Sequence, residues 1–347
     1  FMGHEGDCLR NAVTAVLQSD FLTQGPVVPR FERQLAERVG AGHGVALNSA
    51  TSALHVACLA LGVGPGETVW TSANTFVASA NCARYCGAMV DFVDVDPATG
   101  NMSLTALRKK LEAAAHDGNI PRVVIPVHFA GQPCDMGTIG ALADEYGFSV
   151  IEDASHAIGA CWRGDPVGSG RYSDITVFSF HPVKIITTGE GGMAVTNDEG
   201  LADHMARLRS HGVTRDPGRM NLAPDGPWYY EQIELGFNYR LTDVAAALGE
   251  SQLRRLDEYV ERRRMLADRY DRLLDGLSCR PLARTPAARS AWHLYVIRLD
   301  DPARRRAVFE GLRERKVGVN VHYIPVPAQP DFARLGFDMA DFPGAAA

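Results

Sequence analysis

Between residues 43 and 200, short apolar runs rich in β-branched residues alternate with longer segments whose apolar residues recur at helical spacing. The first pair is the run GVAL (44–47), followed by a helical pattern from Leu54 to Leu61. Runs that are apolar throughout and separated by helices are typical of a parallel sheet covered on both faces. The pattern therefore predicts an α/β fold with a mostly parallel central sheet. The further predicted strands are TVWT (68–71), MVDFVDV (89–95), RVVIPVHF (122–129), FSVIED (148–153) and DITVFSF (174–180).

Beyond residue 240 the pattern changes. Residues 241–277 predict one long helix, with an apolar stripe on one side and arginines on the other. We therefore expect a large α/β domain with an N-terminal arm over residues 1–240 and a smaller α+β domain over residues 241–347. The other predicted elements of the small domain are a strand (292–299), a helix (301–316) and a second strand (317–323).

The composition is that of a globular protein with a modest share of charged residues. The chain has 347 residues, of which 46% are hydrophobic and 22% charged, enough to bury a core without disulfides or structural metals. Its 35 Lys plus Arg are set against 41 Asp plus Glu, which gives a formal net charge of -6. This balance argues against nucleic acid or an anionic membrane as a partner. An anionic ligand must therefore be held by local groups.

Seven cysteines are scattered along the chain without a CxxC pair. Such an odd set is typical of reduced thiols rather than of a disulfide framework or a metal site. Cys82 and Cys86 are close together, but they lie in an apolar, helix-patterned stretch, and we predict core packing for them. No apolar run reaches the roughly 18–20 residues of a membrane span, and no signal-peptide pattern opens the chain. We expect a cytoplasmic protein with no metal and with neither nucleic acid nor membrane as a partner.

Ligands of open α/β sheets bind beyond the carboxyl ends of the strands, and two charged residues are predicted there. Lys184 lies between an apolar strand and the glycine-rich turn TTGEGG, where desolvation favours the neutral amine that attacks a carbonyl. Taken alone, it is better explained as a lysine reaching from a strand end to water. Asp153 ends FSVIED; it could cap a helix over ASHA, or it could keep a pyridine nitrogen protonated. Together, a lysine and a strand-end aspartate are what pyridoxal phosphate chemistry requires.

A third segment is suited to binding a phosphate. NSATSALH (48–55) places hydroxyls and free backbone N–H groups at the start of a helix, where an anion is favoured. Simple N-capping by Ser49 or Thr51 explains the segment equally well. Ser179 adds a hydroxyl at a neighbouring strand end. We expect both groups of donors to meet in one crevice.

Five segments, in this order and spacing, resemble the DegT/DnrJ/EryC1/StrS family of sugar-nucleotide aminotransferases over nearly the whole chain. The resemblance implies a fold-type-I pyridoxal phosphate enzyme, with a large domain around a mostly parallel sheet. It also implies a homodimer with shared active sites. The segments are SDFLTQGP (19–26), NSATSALH (48–55), IEDASHAIGA (151–160), SFHPVKIITTGEGG (179–192) and LGFNYRLTDVAAAL (235–248).

The resemblance implies a role for each matching residue. Lys184 is the Schiff-base lysine and Asp153 the partner of the pyridine nitrogen; similar sugar 3-dehydratases carry histidine in place of this lysine. Phe76 matches an aromatic residue that stacks on the cofactor, whereas core packing is its default explanation without the resemblance. The remaining cofactor positions are Thr51, Ser52 and Ser179 at the phosphate, His156 near the ring hydroxyl, and Asn238, which reaches the site of the neighbouring subunit. The substrate-side positions are His322 and Tyr323, which could also be ordinary strand residues, and the weaker candidate Tyr229.

Within the family, the forms SFHPVK, WYYE and GFNYRLTD look most like the transaminases of pseudaminic acid biosynthesis. This implies a ping-pong transfer of an amino group from glutamate to C4 of a UDP-4-keto-6-deoxy-N-acetylhexosamine. Two alternatives stay open: a different keto nucleotide sugar, at C3 or as another 4-ketosugar, and a pyridoxal-phosphate-binding sensor without turnover. The sequence ends at DFPGAAA, where relatives continue for a strand and a helix, and we expect an incomplete small domain.

Overall fold

The computed structural model describes residues 4–347, with side chains from residue 9 onward. Its centre is a seven-stranded sheet with the strand order β1-β9-β8-β5-β4-β2-β3. The five strands from β8 to β3 are mutually parallel, whereas β9 runs antiparallel to both of its neighbours. The seven strands are β1 (His43–Leu47), β2 (Thr68–Ser72), β3 (Met89–Val93), β4 (Val123–Ile125), β5 (Ser149–Asp153), β8 (Ile175–Ser179) and β9 (Gly192–Thr196).

Short strands outside the central sheet form three small ribbons. They are β6 (Cys161–Trp162), β7 (Asp165–Pro166) and β13 (Ala288–Arg289) in one ribbon, β10 (Val213–Thr214) and β11 (Glu231–Gln232) in another, and β12 (Cys279–Pro281) and β14 (Ile297–Leu299) in the third.

Helices cover both faces of the central sheet, as predicted. Along β1, Val45 and Leu47 belong to one buried cluster and Ala46 to the opposite one, so this strand is apolar on both sides. The helices are α1 (His4–Leu17), α2 (Val27–Val39), α3 (Ala50–Ala60), α4 (Ala78–Tyr85), α5 (Leu104–Asp117), α6 (Met136–Tyr146), α7 (Glu199–Leu208), α8 (Asp243–Leu253), α9 (Leu256–Leu274), α10 (Arg305–Glu314), α11 (Pro330–Ala333) and α12 (Pro343–Ala346).

The prediction of the α/β fold is confirmed, but three predicted elements of the C-terminal part are wrong. The single helix over 241–277 is two helices, because the chain turns at Arg255 and so keeps both Leu253 and Leu256 in one core. The strand predicted over 292–299 forms only at Ile297–Leu299. No strand forms over 317–323; there the backbone N–H of Tyr323 donates to the Asn74 side chain at 3.1 Å instead of to a neighbouring strand.

The cysteines whose side chains are described are all unpaired thiols. Cys82 and Cys86 are buried on α4 within the main apolar cluster, which confirms the core packing predicted for them. The side chain of Cys8 lies outside the described residues. In residues 4–347, no helix combines the length and the apolar character needed to cross a membrane.

A buried carboxylate joins two distant parts of the chain, the start of α8 and the start of α2. Asp243, at the start of α8, is fully buried and accepts from three backbone N–H groups at the start of α2: Oδ1 from Val27 (2.7 Å) and Val28 (3.2 Å), and Oδ2 from Gly25 (2.8 Å). A helix N-terminus leaves such groups without helical partners. Asp243 therefore caps α2 from a distant part of the chain.

We expect Asp243→Ala to lower the free energy of unfolding by about 2–4 kcal/mol, because three buried donors lose a charged acceptor. Urea denaturation followed by circular dichroism measures the loss. The matched control is Asp198→Ala, which removes an exposed local cap, the hydrogen bond from Leu201 N at 2.9 Å, and is expected to cost about 1 kcal/mol. Equal losses in the two variants would contradict the importance of the distant cap.

Candidate active site

Asp153 and Ser179 end β5 and β8, which are neighbouring parallel strands, so both residues lie at the same edge of the sheet. Both side chains are mostly buried, at 5% and 8% exposure. Lys184 follows in the turn between β8 and β9. The structure therefore brings the predicted lysine and aspartate to one end of the sheet.

The amine of Lys184 is held in an unusual state. Burial lowers its pKa from the ordinary value of a lysine to about 8, and the Asp153 carboxylate opposes that shift. Within residues 9–347, Nζ has no hydrogen-bond or ion-pair partner. The amine is thus partly neutral near pH 8, which is the form that attacks carbonyl groups.

The Asp153 carboxylate is fixed at both oxygens. Ser79 Oγ donates to Oδ2 at 2.6 Å, and the backbone N–H of Ser155 donates to Oδ1 at 3.0 Å. Ser79 Oγ is itself 2.9 Å from Thr75 Oγ1. No helix follows Asp153, since residues 154–160 form turns, so the helix-cap alternative is wrong although the carboxylate does bind a local N–H. Sequence reasoning missed Ser79, whose only signal was its place in the segment that carries Phe76.

His156 lies beside the lysine and is buried, at 6% exposure. Its Nε2 is 3.2 Å from the Tyr323 hydroxyl, while its Nδ1 is buried without a partner. Burial, followed by the charges of Lys184, His293 and His322, holds the pKa of His156 well below its ordinary value. The ring is therefore neutral at physiological pH.

His293 is a site residue that the sequence did not reveal. Its ring centre lies 4.4 Å from that of His156, and its own Nδ1 is also buried and unpartnered. Burial and the nearby charges of Lys184, Arg263 and His322 lower its pKa to about 3. His293 falls within the strand predicted over 292–299, and a histidine in an apolar run gave no signal of a site.

Two of the predicted substrate-side residues, Tyr323 and His322, form a cluster with His156 and His293 beside Lys184. Tyr323 binds His156 through its hydroxyl, and burial and the charge of Lys184 lower the pKa of His322. The ring of Phe76 is 58% exposed and lies 6.3 Å from that of Tyr323. Core packing is therefore the wrong explanation for Phe76, which leaves its ring face free beside the cluster.

The turn before α3 is pressed against the sheet. Ser49 caps the helix, accepting from Ser52 N at 3.0 Å, and the Ser52 hydroxyl donates to Asn48. A side chain on Gly192 would come within 2.4 Å of Ala50 N, so glycine is needed for this close approach. The N-capping explanation is thus correct for Ser49, while the hydroxyls of Thr51 and Ser179 have no hydrogen-bond partner in the described part of the chain.

Two predicted residues, Asn238 and Tyr229, lie apart from these histidines. Asn238 is exposed, and its backbone pairs with Ser210. Tyr229 donates its hydroxyl to Glu231 at 3.0 Å on an exposed segment. Among the described contacts, neither side chain touches Lys184, Asp153 or His156.

The polar groups at this end of the sheet fit pyridoxal phosphate, the cofactor that the resemblance implies. A partly neutral, unpaired lysine suits its aldehyde, and a fixed carboxylate suits its ring nitrogen. The orphaned Nδ1 of His156 is a buried polar atom that lacks a partner, as expected where a ligand supplies one. Free hydroxyls near a helix N-terminus suit its phosphate.

Comparison with known proteins gives a consistent result. SpsC of Bacillus subtilis, a spore coat polysaccharide biosynthesis protein, is 40% identical over 342 residues, covering 96% of this chain and 85% of that protein. The UDP-4-amino-4,6-dideoxy-N-acetyl-β-L-altrosamine transaminase of Campylobacter jejuni is 40% identical over 323 residues, covering 91% and 80%. The PLP form of Spr1654 from Streptococcus pneumoniae superposes with a TM-score of 0.86 at 30% identity, covering 98% of this chain and 88% of the other.

The family comparison covers the same span as the structure. The DegT/DnrJ/EryC1/StrS aminotransferase family matches residues 4–347. This span includes Lys184, Asp153 and the three histidines His156, His293 and His322. One structural neighbour was solved in its PLP form, which is consistent with the fit of pyridoxal phosphate to the residues described above. The chain therefore belongs to the DegT/DnrJ/EryC1/StrS aminotransferase family and is a pyridoxal-phosphate-dependent sugar aminotransferase.

Proposed function

We propose that this protein transfers the amino group of glutamate to C4 of a UDP-4-keto-6-deoxy-N-acetylhexosamine in pseudaminic acid biosynthesis. The observation that supports aminotransfer is the unpaired, partly neutral amine of Lys184, which interacts electrostatically with the fixed Asp153 carboxylate. The choice of sugar is supported by the Campylobacter transaminase, which is 40% identical and named for the corresponding 4-amino sugar.

We propose that the cofactor is held along the strand ends. Lys184 would bind its aldehyde carbon, Asp153 its ring nitrogen and His156 Nδ1 its ring hydroxyl, while the exposed ring of Phe76 would stack on it. His322 and Tyr323 would face the sugar, with Tyr229 a further candidate. The phosphate would be held by Thr51, Ser52 and Ser179, with Asn238 of the partner subunit.

When bound, pyridoxal phosphate supplies an electron sink and a temporary carrier for the amino group. The protein supplies proton transfer and orientation. Nζ of Lys184 would accept the proton from the α-carbon of glutamate; its lowered pKa suits a base that must be neutral near pH 8. Asp153 keeps a negative charge in one place because two donors hold its oxygens.

The lowered pKa of Lys184 predicts how the apo-protein takes up its cofactor. The amine is protonated below about pH 8 and neutral above it, so the rate of lysine-dependent cofactor uptake is expected to rise with pH and to level off above about pH 9. The pKa values of His156, His293 and His322 are lowered from the ordinary value, so these rings do not produce a rise near pH 8. Stopped-flow absorbance between about pH 6 and 12 measures the midpoint. A midpoint near 10.5 would contradict the buried environment of the amine.

We propose a homodimer with shared active sites. Asn238 is exposed beside Leu235, which is 79% exposed, and Trp228 on the preceding segment is 67% exposed. Large apolar side chains left open to water in this way are typical of a protein–protein contact. Sedimentation is expected to give twice the 37.6 kDa chain mass, and mixing Lys184→Ala with Asn238→Ala chains is expected to restore activity if the sites are shared. A monomeric, fully active protein would refute this proposal.

A cytoplasmic location is supported by the cysteines. Cys58, Cys82, Cys86, Cys134, Cys161 and Cys279 are all unpaired, and proteins of oxidising compartments more often pair their cysteines. Fractionation of the source cells, with the protein found in the membrane or secreted fraction, would contradict this location.

A two-step spectral experiment tests the proposed reaction and its alternatives. Glutamate added to the holoprotein is expected to remove the absorption of the lysine-bound cofactor, and the UDP-4-ketosugar is expected to restore it. A sensor without turnover would show no such cycle. Restoration only by a 3-ketosugar or by another 4-ketosugar would support the alternative substrates. SpsC is as similar to this chain as the Campylobacter transaminase and is named for a different role, which is the reason to test these sugars. NMR of the product identifies the aminated carbon.

A further inference from the structure

We propose that Thr75 and Ser79 are positioning residues that fix the Asp153 carboxylate for cofactor binding through a two-hydroxyl relay. This inference rests on the proposed role of Asp153 and extends it to side chains that touch neither cofactor nor substrate. The relay is built by the stretch of chain that runs from β2 into the first turn of α4.

The geometry of the relay is that of a buried, charge-assisted contact. Ser79 Oγ is 2.6 Å from Asp153 Oδ2 and 2.9 Å from Thr75 Oγ1. Exposure is 0% for Ser79, 2% for Thr75 and 5% for Asp153. A hydrogen bond to an ionised acceptor in such surroundings is shorter and stronger than one between neutral groups.

The direction of the relay follows from the number of protons. An ionised carboxylate only accepts, so the single hydroxyl proton of Ser79 must go to Asp153. Ser79 Oγ can then only accept in its contact with Thr75, so the Thr75 hydroxyl donates its proton to Ser79 Oγ. Thr75 therefore acts on Asp153 through Ser79 and has no separate route.

The same segment reaches two other parts of the site. Asn74 Oδ1 accepts from the backbone N–H of Tyr323 at 3.1 Å, and Phe76 presents an exposed ring beside Tyr323. Asn74, Thr75 and Phe76 lie in the turn between β2 and α4, and Ser79 follows in the first turn of α4. The relay makes the position of the carboxylate depend on the turn that also carries the proposed stacking ring.

A matched control lies a few residues upstream. Ser72 ends β2, is 1% exposed, and its hydroxyl has no partner. Ser72→Ala deletes a buried serine hydroxyl of the same kind without breaking a hydrogen bond. It separates the loss of the relay from the general effect of deleting a buried hydroxyl.

The test titrates pyridoxal phosphate into full-length apo-protein and records the dissociation constant and the visible circular dichroism of the bound cofactor. Ser79→Ala is expected to bind about tenfold more weakly, with altered dichroism, because a charge-assisted hydrogen bond is lost. Thr75→Val is expected to have a smaller effect in the same direction. The double variant is expected to match Ser79→Ala, because Thr75 acts only through Ser79. Ser72→Ala is expected to stay within about twofold of the wild type, since no hydrogen bond is removed.

Three results would overturn the relay: wild-type binding and dichroism in Ser79→Ala, an equal loss in Ser72→Ala, or effects of Thr75→Val and Ser79→Ala that multiply. Thermal unfolding of each apo-variant identifies losses that come from misfolding. The variant Asp153→Asn distinguishes a failure of the relay from a failure of the proposed role of Asp153. If it weakens binding and Ser79→Ala does not, the relay alone fails; if it binds like the wild type, the role of Asp153 fails and the relay with it.

Discussion

Replacing Lys184 by alanine is expected to abolish amino transfer, lowering turnover by about 10⁴-fold or more, because this one side chain is proposed to supply both the attachment point and the proton carrier. The absorption that marks a lysine-bound cofactor is expected to disappear with it. Absorption spectra and steady-state rates with glutamate and the UDP-ketosugar measure both effects.

The control for this variant is Lys109→Ala, which removes an exposed lysine on α5. It is expected to keep the colour and the activity of the wild type. A Lys184→Ala protein with normal colour and turnover would refute the assignment of the lysine. Full activity with altered colour would mean that another group carries the proton.

Asp153→Asn is expected to reduce kcat about 10²- to 10³-fold, because the amide keeps the size of the side chain but loses its fixed negative charge. The KM for glutamate is expected to change much less, since Asp153 is proposed to contact the ring nitrogen of the cofactor and not the amino donor. Measuring kcat and KM separately, with saturating cofactor, keeps this effect apart from weaker cofactor binding.

Asp144→Asn is the matched control, because it neutralises an exposed aspartate on α6. It is expected to leave both constants unchanged. Wild-type kinetics in Asp153→Asn would remove the carboxylate from the mechanism. An equal loss in both variants would point to the overall charge rather than to this site.

Most of the large domain was predictable because its strands are apolar on both faces and its turns are marked by glycine and proline. The two predicted strands that were wrong lie where the backbone bonds to something other than a strand. The Tyr323 N–H goes to the Asn74 side chain, and the N–H groups of Ala291 and Leu294 go to carbonyls of the 130–131 turn. Local pattern carries no information about partners some 160 to 250 residues away.

The site divides in the same way. Asp153 ends β5 and Lys184 lies in the turn that follows β8, and a topological rule places residues beyond the carboxyl ends of strands near a ligand. Ser79 and His293 could not be found by this rule, because one lies in the first turn of a helix and the other in an irregular stretch. Their importance arises from contacts with Asp153 and His156. These contacts exist only once the chain has folded.

The cap that Asp243 places on α2 has a consequence for the order in which the protein folds. The carboxylate and the N–H groups of Val27 and Val28 are more than 210 residues apart in sequence, so closing this contact has a large entropic cost and raises the contact order of the domain. We infer that it forms late, after the transition state. Its loss should then speed unfolding while leaving the refolding rate nearly unchanged, and a slower refolding limb in a chevron plot of Asp243→Ala would show that the contact forms early instead.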